Sequence, residues 1–380
     1  MPDLRATLVA SLIGRLPVGM TGLAVLLMVR SSSGSFASAG AANACYITGL
    51  AALAPVAGRI IDRQRPHHIL LACSALNSLS LVALVVLIQI DAFAWAWLLL
   101  AASAGASFPP ITVCMRTLFR RRLGDNPLLP TPYSLESVIV EAIFIAGPML
   151  VAVFIAVSSD SLAVLFAAVC RATGTQLFMR SPALRNWKVE SSRRPNLLRP
   201  LASPPFLSLL AIILRYSIAF GLIEIGVIGF TAEAGSSALA GILLALMSVG
   251  STIGGLVYGT RSWHIPIARQ FSLTLALMGC GIVPLAWLVG VWEFAGIAVL
   301  AGVVMAPALA MQKYAGGQDR ACGLPDRGIY LVGYRPTDRH RPRFAVGGAI
   351  LEATGSATVF ITAAVASLLG AAGPICIGTT

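Results

Sequence analysis

The chain has 380 residues, 57% hydrophobic and only 11% charged, with a formal net charge of +12 and a mean hydropathy of +0.85. Soluble globular domains carry about 25% charged residues, so this composition excludes an ordinary soluble domain and points to a membrane. The basic excess forms no patch interleaved with aromatic residues, so nucleic acid is not an expected partner.

A bilayer offers no water to loose backbone groups, so spanning segments must be helices or a closed barrel. The apolar runs are long and lack the period-two alternation of barrel strands, which selects helices. In chain order they are predicted over 6–29, 37–58, 69–90, 93–115, 134–157 and 161–180. After a polar stretch at 181–203, helices resume over 205–231, 236–258, 267–290 and 291–311, and a last clear one covers 356–374. The first run is longer than a signal-peptide core and contains Arg15, so no cleavable signal is expected. The expected organisation is a helix bundle at 1–180, a basic linker at 181–203 and a second bundle at 204–380.

Cytoplasmic loops collect Lys and Arg. Arg59, Arg63 and Arg65 follow helix 2, and Arg116, Arg120, Arg121 and Arg122 follow helix 4. The linker after helix 6 holds Arg185, Lys188, Arg193, Arg194 and Arg199, and helix 8 is followed by Arg261 and Arg269. The alternate connections carry Asp91, Asp160, Glu233 and Glu293, with Arg30 as their one base. This pattern puts the N-terminus and the linker in the cytoplasm.

Between helices 2 and 3 stands "GRIIDRQRPHH", residues 58–68. Gly58, Asp62 and Arg63 match the G-x-x-x-D-R-x-G-R signature of the major facilitator superfamily, with Arg65 near its last basic position. "RLPVGM" in helix 1, "ASFPPIT" in helix 4 and "AFGLIEIGVIGF" in helix 7 resemble a bacterial subgroup of efflux permeases. "FIAGPMLV" in helix 5 is similar to the glycine–proline motif of proton-coupled exporters, which makes Gly147 and Pro148 a candidate hinge. The resemblance implies an all-α membrane protein of two pseudo-symmetric six-helix bundles, with the path between the halves. It further implies proton-coupled export of a small organic solute across the cytoplasmic membrane, a gate at Gly58, Asp62, Arg63 and Arg65, and a monomer in lipid without cofactor. The plain alternative for the signature is a positive-inside loop with one locally paired acid.

Ionisable groups inside spans are costly and face a cavity or a partner. Arg15, Glu136, Glu141, Arg171, Arg215 and Glu224 lie inside predicted helices. At 100° per residue Arg215 and Glu224 fall on nearly opposite faces, so each needs another partner. Arg15 with Glu141, or Arg171 with an acid of helix 5, are the open pairings. These groups either lock helix packing or handle substrate and protons. The seven cysteines and four histidines have no paired metal spacing, and neither a phosphate-binding glycine loop nor a nucleophile–base set is present. An enzyme is therefore not expected.

Residues 313–343, where helix 11 should begin, hold seven of the 27 Lys and Arg and three acids. A central arginine costs about 2.5–3.5 kcal/mol on insertion, so this segment cannot span. "FAVGGAILEATG" at 344–355 then resumes like the second half of helix 11. One reading is a long hydrophilic loop. The other is a segment translated out of frame, since a one-base shift of back-translated codons can yield an apolar helix. On that reading helix 11 is disrupted and the chain is a decayed, transport-inactive permease; a binding-only membrane sensor is the remaining alternative.

Overall fold

The structure, a computed structural model, describes residues 2–63, 66–123, 130–157, 159–181, 184, 204–261, 263, 265, 267–287, 290–308, 311 and 341–372. Within these, the side chains of 2–5, 51–63, 116, 119–123, 130–138, 204–215, 217, 267, 268, 341–347 and 372 are not described. The described residues form helices and turns, with no strand among them. Nine segments among them are long and apolar enough to cross a membrane.

The chain divides into two compact units, Met1–Arg193 and Arg194–Thr380. The first contains α1 (Pro2–Arg15), α2 (Pro17–Ser33), α3 (Phe36–Arg63), α4 (Pro66–Gln89), α5 (Ala94–Ala106), α6 (Ile111–Leu123), α7 (Pro130–Ala156) and α8 (Asp160–Arg180). The second contains α9 (Pro204–Glu233), α10 (Ala238–Gly259), α11 (Ile267–Ile282), α12 (Val291–Gly302) and α13 (Arg341–Ala372).

Several predicted helices are interrupted. The first span is two helices, because Pro17 has no N–H to continue the ladder at Leu16. The fourth breaks between α5 and α6, where Pro109 and Pro110 intervene. The ninth ends in a 3₁₀ turn at Val283–Ala286, which contains Pro284. The helix expected to stop at Gly58 continues to Arg63, so Gly58, Asp62 and Arg63 occupy its last turns rather than a loop. Pro148, by contrast, lies inside an unbroken α7.

In α4 apolar residues lie on both faces, Leu70, Leu81 and Leu84 among the buried ones, and small polar residues turn inward beside them. Leu79, Val82 and Val86, with Ile90 just past the helix end, form an exposed stripe at helical spacing, while Ser74, Asn77 and Ser80 are buried. Lipid is as apolar as leucine, so hydrocarbon side chains face outward and polar groups tie helices together. Asn77 Nδ2 donates to the Ala104 carbonyl (2.6 Å), Ser78 Oγ to the Ala168 carbonyl (3.0 Å), and Ser80 and Ser103 share a 2.9 Å hydrogen bond. Phe93, Trp95, Trp287 and Trp292 are exposed at 77%, 62%, 68% and 89%. They sit at the helix ends that the charge pattern assigns to the outside, as the aromatic belts of membrane interfaces do.

Both units draw helices together through glycine. A methyl group at Gly49 of α3 would strike the Ala102 carbonyl of α5, and one at Gly105 would strike the Tyr46 carbonyl. In the second unit Gly254 of α10 abuts the Val303 carbonyl, and Gly302 of α12 abuts the Met247 carbonyl.

Gly355, at φ 81° and ψ 175°, divides α13 into two segments. Leu351 packs on Gly229 and Phe360 packs on Gly226, while Ser356 bonds Glu233 between them in sequence. The contacts therefore run along α9 to its end and then back, so the chain reverses at Gly355. Residues 341–354 correspond to the half-helix expected at 344–355, and 356–372 to the last helix. The segment 312–340 lies outside the described residues, and with it the disruption proposed for helix 11.

Candidate functional site

In the first unit the polar centre is built around the break in the first span. Gly14 of α1 and Gly174 of α8 meet backbone to backbone, which brings Arg171, one turn from Gly174, beside the broken ladder. Arg171 is fully buried. Its Nη1 donates to the Gly14 carbonyl at 2.8 Å, and its Cζ lies 4.0 Å from the centre of the Phe108 ring. Ser74 Oγ donates to the Arg171 carbonyl at 3.3 Å. Where proline breaks a membrane helix, neighbouring side chains re-satisfy the backbone, and here a guanidinium from α8 does so.

Arg15, the last residue of α1, is 4% exposed. Thr175, whose backbone adjoins Gly14, is buried, and so are Ser11, Thr21, Asn43 and Tyr46 on α1, α2 and α3. Thr21 Oγ1 donates back to the Pro17 carbonyl at 2.7 Å. Ser11 Oγ, Thr175 Oγ1 and both amide atoms of Asn43 have no hydrogen-bond partner among the described residues.

Glu141 is half-buried on α7. Gly19 of α2 packs against the Ile143 carbonyl and the Gly147 backbone. Arg15 precedes Gly19 by one turn, and Glu141 precedes Ile143 by two residues. Gly147 thus has a packing role against the first span.

In the second unit Glu224 is half-buried on α9, between Ile223 and Ile225 at 1% and 2% exposure. Farther along α9, Phe230 stacks on Phe294 (4.2 Å between centroids), which in turn meets Phe360 at 5.6 Å. At the far end of α10, Tyr258 donates to Gln270 Oε1 at 2.7 Å and stacks with Trp263 at 5.4 Å. Three or more His, Cys, Asp or Glu that could hold a metal are not grouped among the described residues.

Of the expected site residues, the structure buries Arg171 on the Gly14 carbonyl, next to buried Arg15, and leaves Glu141 half-buried on α7. Glu224 lies in the other unit. Gly58, Asp62 and Arg63 are located only by their helix, and Arg215 by α9. The side chain of Glu136 and all of Arg65 lie outside the described residues. Phe108, under the Arg171 guanidinium, and the buried Asn43 and Tyr46 of α3 are features that the sequence reading missed. Asn43 had a usable signal, being an amide in the apolar run "AGAANACYITGLAALAPVA".

The arrangement of the whole chain resembles solved transporters. The fold matches an Asp-to-Ala mutant of the nucleoside transporter NupG with a TM-score of 0.74 at 13% identity, covering 99% of this chain and 100% of that one. A second NupG structure gives 0.70 at 12% identity, covering 100% and 99%. A POT family transporter in complex with a thioalcohol-conjugated peptide gives 0.69 at 11% identity, covering 98% and 95%. No family model matches the chain, and no curated protein matches it by sequence. The fold is of the major facilitator type. The chain is an all-α, multi-pass membrane protein.

Proposed function

We propose that the protein is a secondary transporter that carries a small organic solute across the cytoplasmic membrane by alternating access. The observation that supports this most directly is a full-length transporter fold whose spans bury Arg15 and Arg171 and hold Glu141 and Glu224. Charges inside a bilayer are expensive and are otherwise lost. Proton coupling is the simplest drive, with Glu141 or Glu224 carrying the proton and Arg15 paired with Glu141 in one of its states. Export, the N-terminus inside, and the efflux-permease subgroup follow from the charge pattern and from the motifs at 15–20, 106–112 and 219–230. The gate assignment of Gly58, Asp62, Arg63 and Arg65 rests on the same resemblance.

The test is purified protein in liposomes under an imposed pH gradient, with a panel of labelled solutes that includes nucleosides and short peptides. At least one solute should accumulate against its gradient, and Glu141→Gln or Glu224→Gln should abolish that accumulation while leaving the protein inserted. If both variants still concentrate solute, neither acid is the proton carrier. The second reading, a transport-inactive chain, draws on the seven basic residues of 313–343, which an out-of-frame segment explains. Sequencing the gene for a shifted frame that encodes an apolar helix decides it.

A further inference from the structure

Each unit closes the same pair of helix ends with a hydroxyl and a carboxylate. In the first unit Ser31, in the last turn of α2, shares its hydroxyl between the Met28 carbonyl of its own helix, 2.9 Å away, and Asp160 Oδ2 at the first residue of α8. The other carboxylate oxygen, Oδ1, accepts from the Ser161 N–H at 3.0 Å, so the acid also satisfies an orphan donor of the helix start. In the second unit the acid has moved to the other helix. Glu233, the last residue of α9, accepts the Ser356 hydroxyl on Oε2 at 2.6 Å and the Ser356 N–H on Oε1 at 2.8 Å. Ser356 opens the final helix segment immediately after the reversal at Gly355.

The two ties are therefore equivalent in place and opposite in polarity. The first helix supplies the serine in one unit and the acid in the other. What is common is the bond itself, between the end of the unit's first span and the start of its last. Two unrelated residue choices giving one connection argue that the connection is what the fold requires. An incidental surface contact would not recur at the matching pair of ends with its partners exchanged. The backbone around each tie supports the same reading: Ser159 caps α8 by accepting from the Leu162 N–H at 3.3 Å, and Gly355 adopts a conformation that favours glycine.

We infer that these ties hold the first and last helices of each unit together as one body, at the end the charge pattern assigns to the outside. In the transport cycle proposed above, on which this last step rests, the outer mouth then opens by moving other helices past this pair. Ser31, Asp160, Glu233 and Ser356 are positioning residues in this account.

Hydrogen–deuterium exchange on the full-length protein tests the inference without any substrate. Glu233→Ala should speed exchange of the 356–360 amides by at least about tenfold, since it removes both of the hydrogen bonds that Ser356 makes to the charged acceptor. The exchanged pair, Glu233→Ser with Ser356→Glu, recreates the polarity of the first unit and should restore most of the protection. The same logic in the first unit uses Asp160→Ala, read at 160–164, and Ser31→Asp with Asp160→Ser as its rescue. Unchanged exchange in both alanine variants, or exchanged pairs no better protected than the alanine variants, would overturn the tie. Should one unit's variants fail to fold, the other unit's set still decides. If protection follows the ties while no solute moves in the liposome assay, the tie stands and the transport reading fails.

Discussion

Replacing Arg171 with methionine measures what the buried guanidinium contributes. Its 2.8 Å bond to the Gly14 carbonyl is a hydrogen bond from a charged donor, contributing about 1.5–3 kcal/mol. Its position 4.0 Å over the Phe108 ring adds about 2 kcal/mol in a desolvated setting. Against these stands the cost of keeping a central arginine in a bilayer, about 2.5–3.5 kcal/mol. Arg171→Met should therefore destabilise the protein by only about 1–2 kcal/mol, since most of what is lost is returned as relieved desolvation. Arg171→Lys keeps the desolvation cost but cannot lie flat on the ring, so it should be no better tolerated than Met. Phe108→Leu removes the ring alone. Unfolding in mixed detergent, run as a double-mutant cycle, should give a coupling near 2 kcal/mol between Arg171 and Phe108. Additivity within about 0.5 kcal/mol would refute the claim that the ring holds the guanidinium.

Gly105→Ala and Gly254→Ala each push a methyl into a carbonyl across a helix pair and should cost about 1–3 kcal/mol, read by the same unfolding assay. Gly355→Ala places a side chain at φ 81°, ψ 175°, a region nearly reserved for glycine, and should cost a similar amount, about 1–3 kcal/mol. Exchanging charges through Arg15→Glu with Glu141→Arg should recover stability that either single change loses, which a thermal melt of all three variants would show. A reporter fused within 181–203 should behave as cytoplasmic and one near Asp160 as external; reversed labelling removes the orientation and the gate assignment.

The two-bundle fold was largely legible because the bilayer forces a simple code of apolar runs between charged turns. "ILLACSALNSLSLVALVVLIQI" announces a helix whichever face is buried. The same simplicity hides the interior. Leu79 on the lipid face and Leu81 in the core look alike in sequence, since both surroundings are apolar. Pro17 stood in plain view, yet whether a membrane proline bends, breaks or merely sits in a helix depends on the neighbour that takes up the freed carbonyls. Here Arg171 supplies that bond from 157 residues away, whereas Pro148 is absorbed within α7 without a break. Arg171 was recognisable as unusual, but its bond to a carbonyl and its seat on an aromatic face were not, because no sequence separation encodes them.

The relation between the halves shows where such legibility ends. At the level of letters the repeat is faint: Gly58 and Asp62 correspond in sequence to Gly255 and Gly259, and the acid of the first copy has no counterpart. At the level of contacts it is firmer. Gly49 and Gly105 do in the first unit what Gly254 and Gly302 do in the second, bringing backbone against backbone where any side chain would intervene. Ser31 with Asp160 and Glu233 with Ser356 join equivalent helix ends with the donor and acceptor exchanged. A hydrogen bond needs one donor and one acceptor but is indifferent to which helix provides each. Residue identity can drift across such a pair as long as the pair is kept, and a comparison made position by position then sees two differences where the structure keeps one bond.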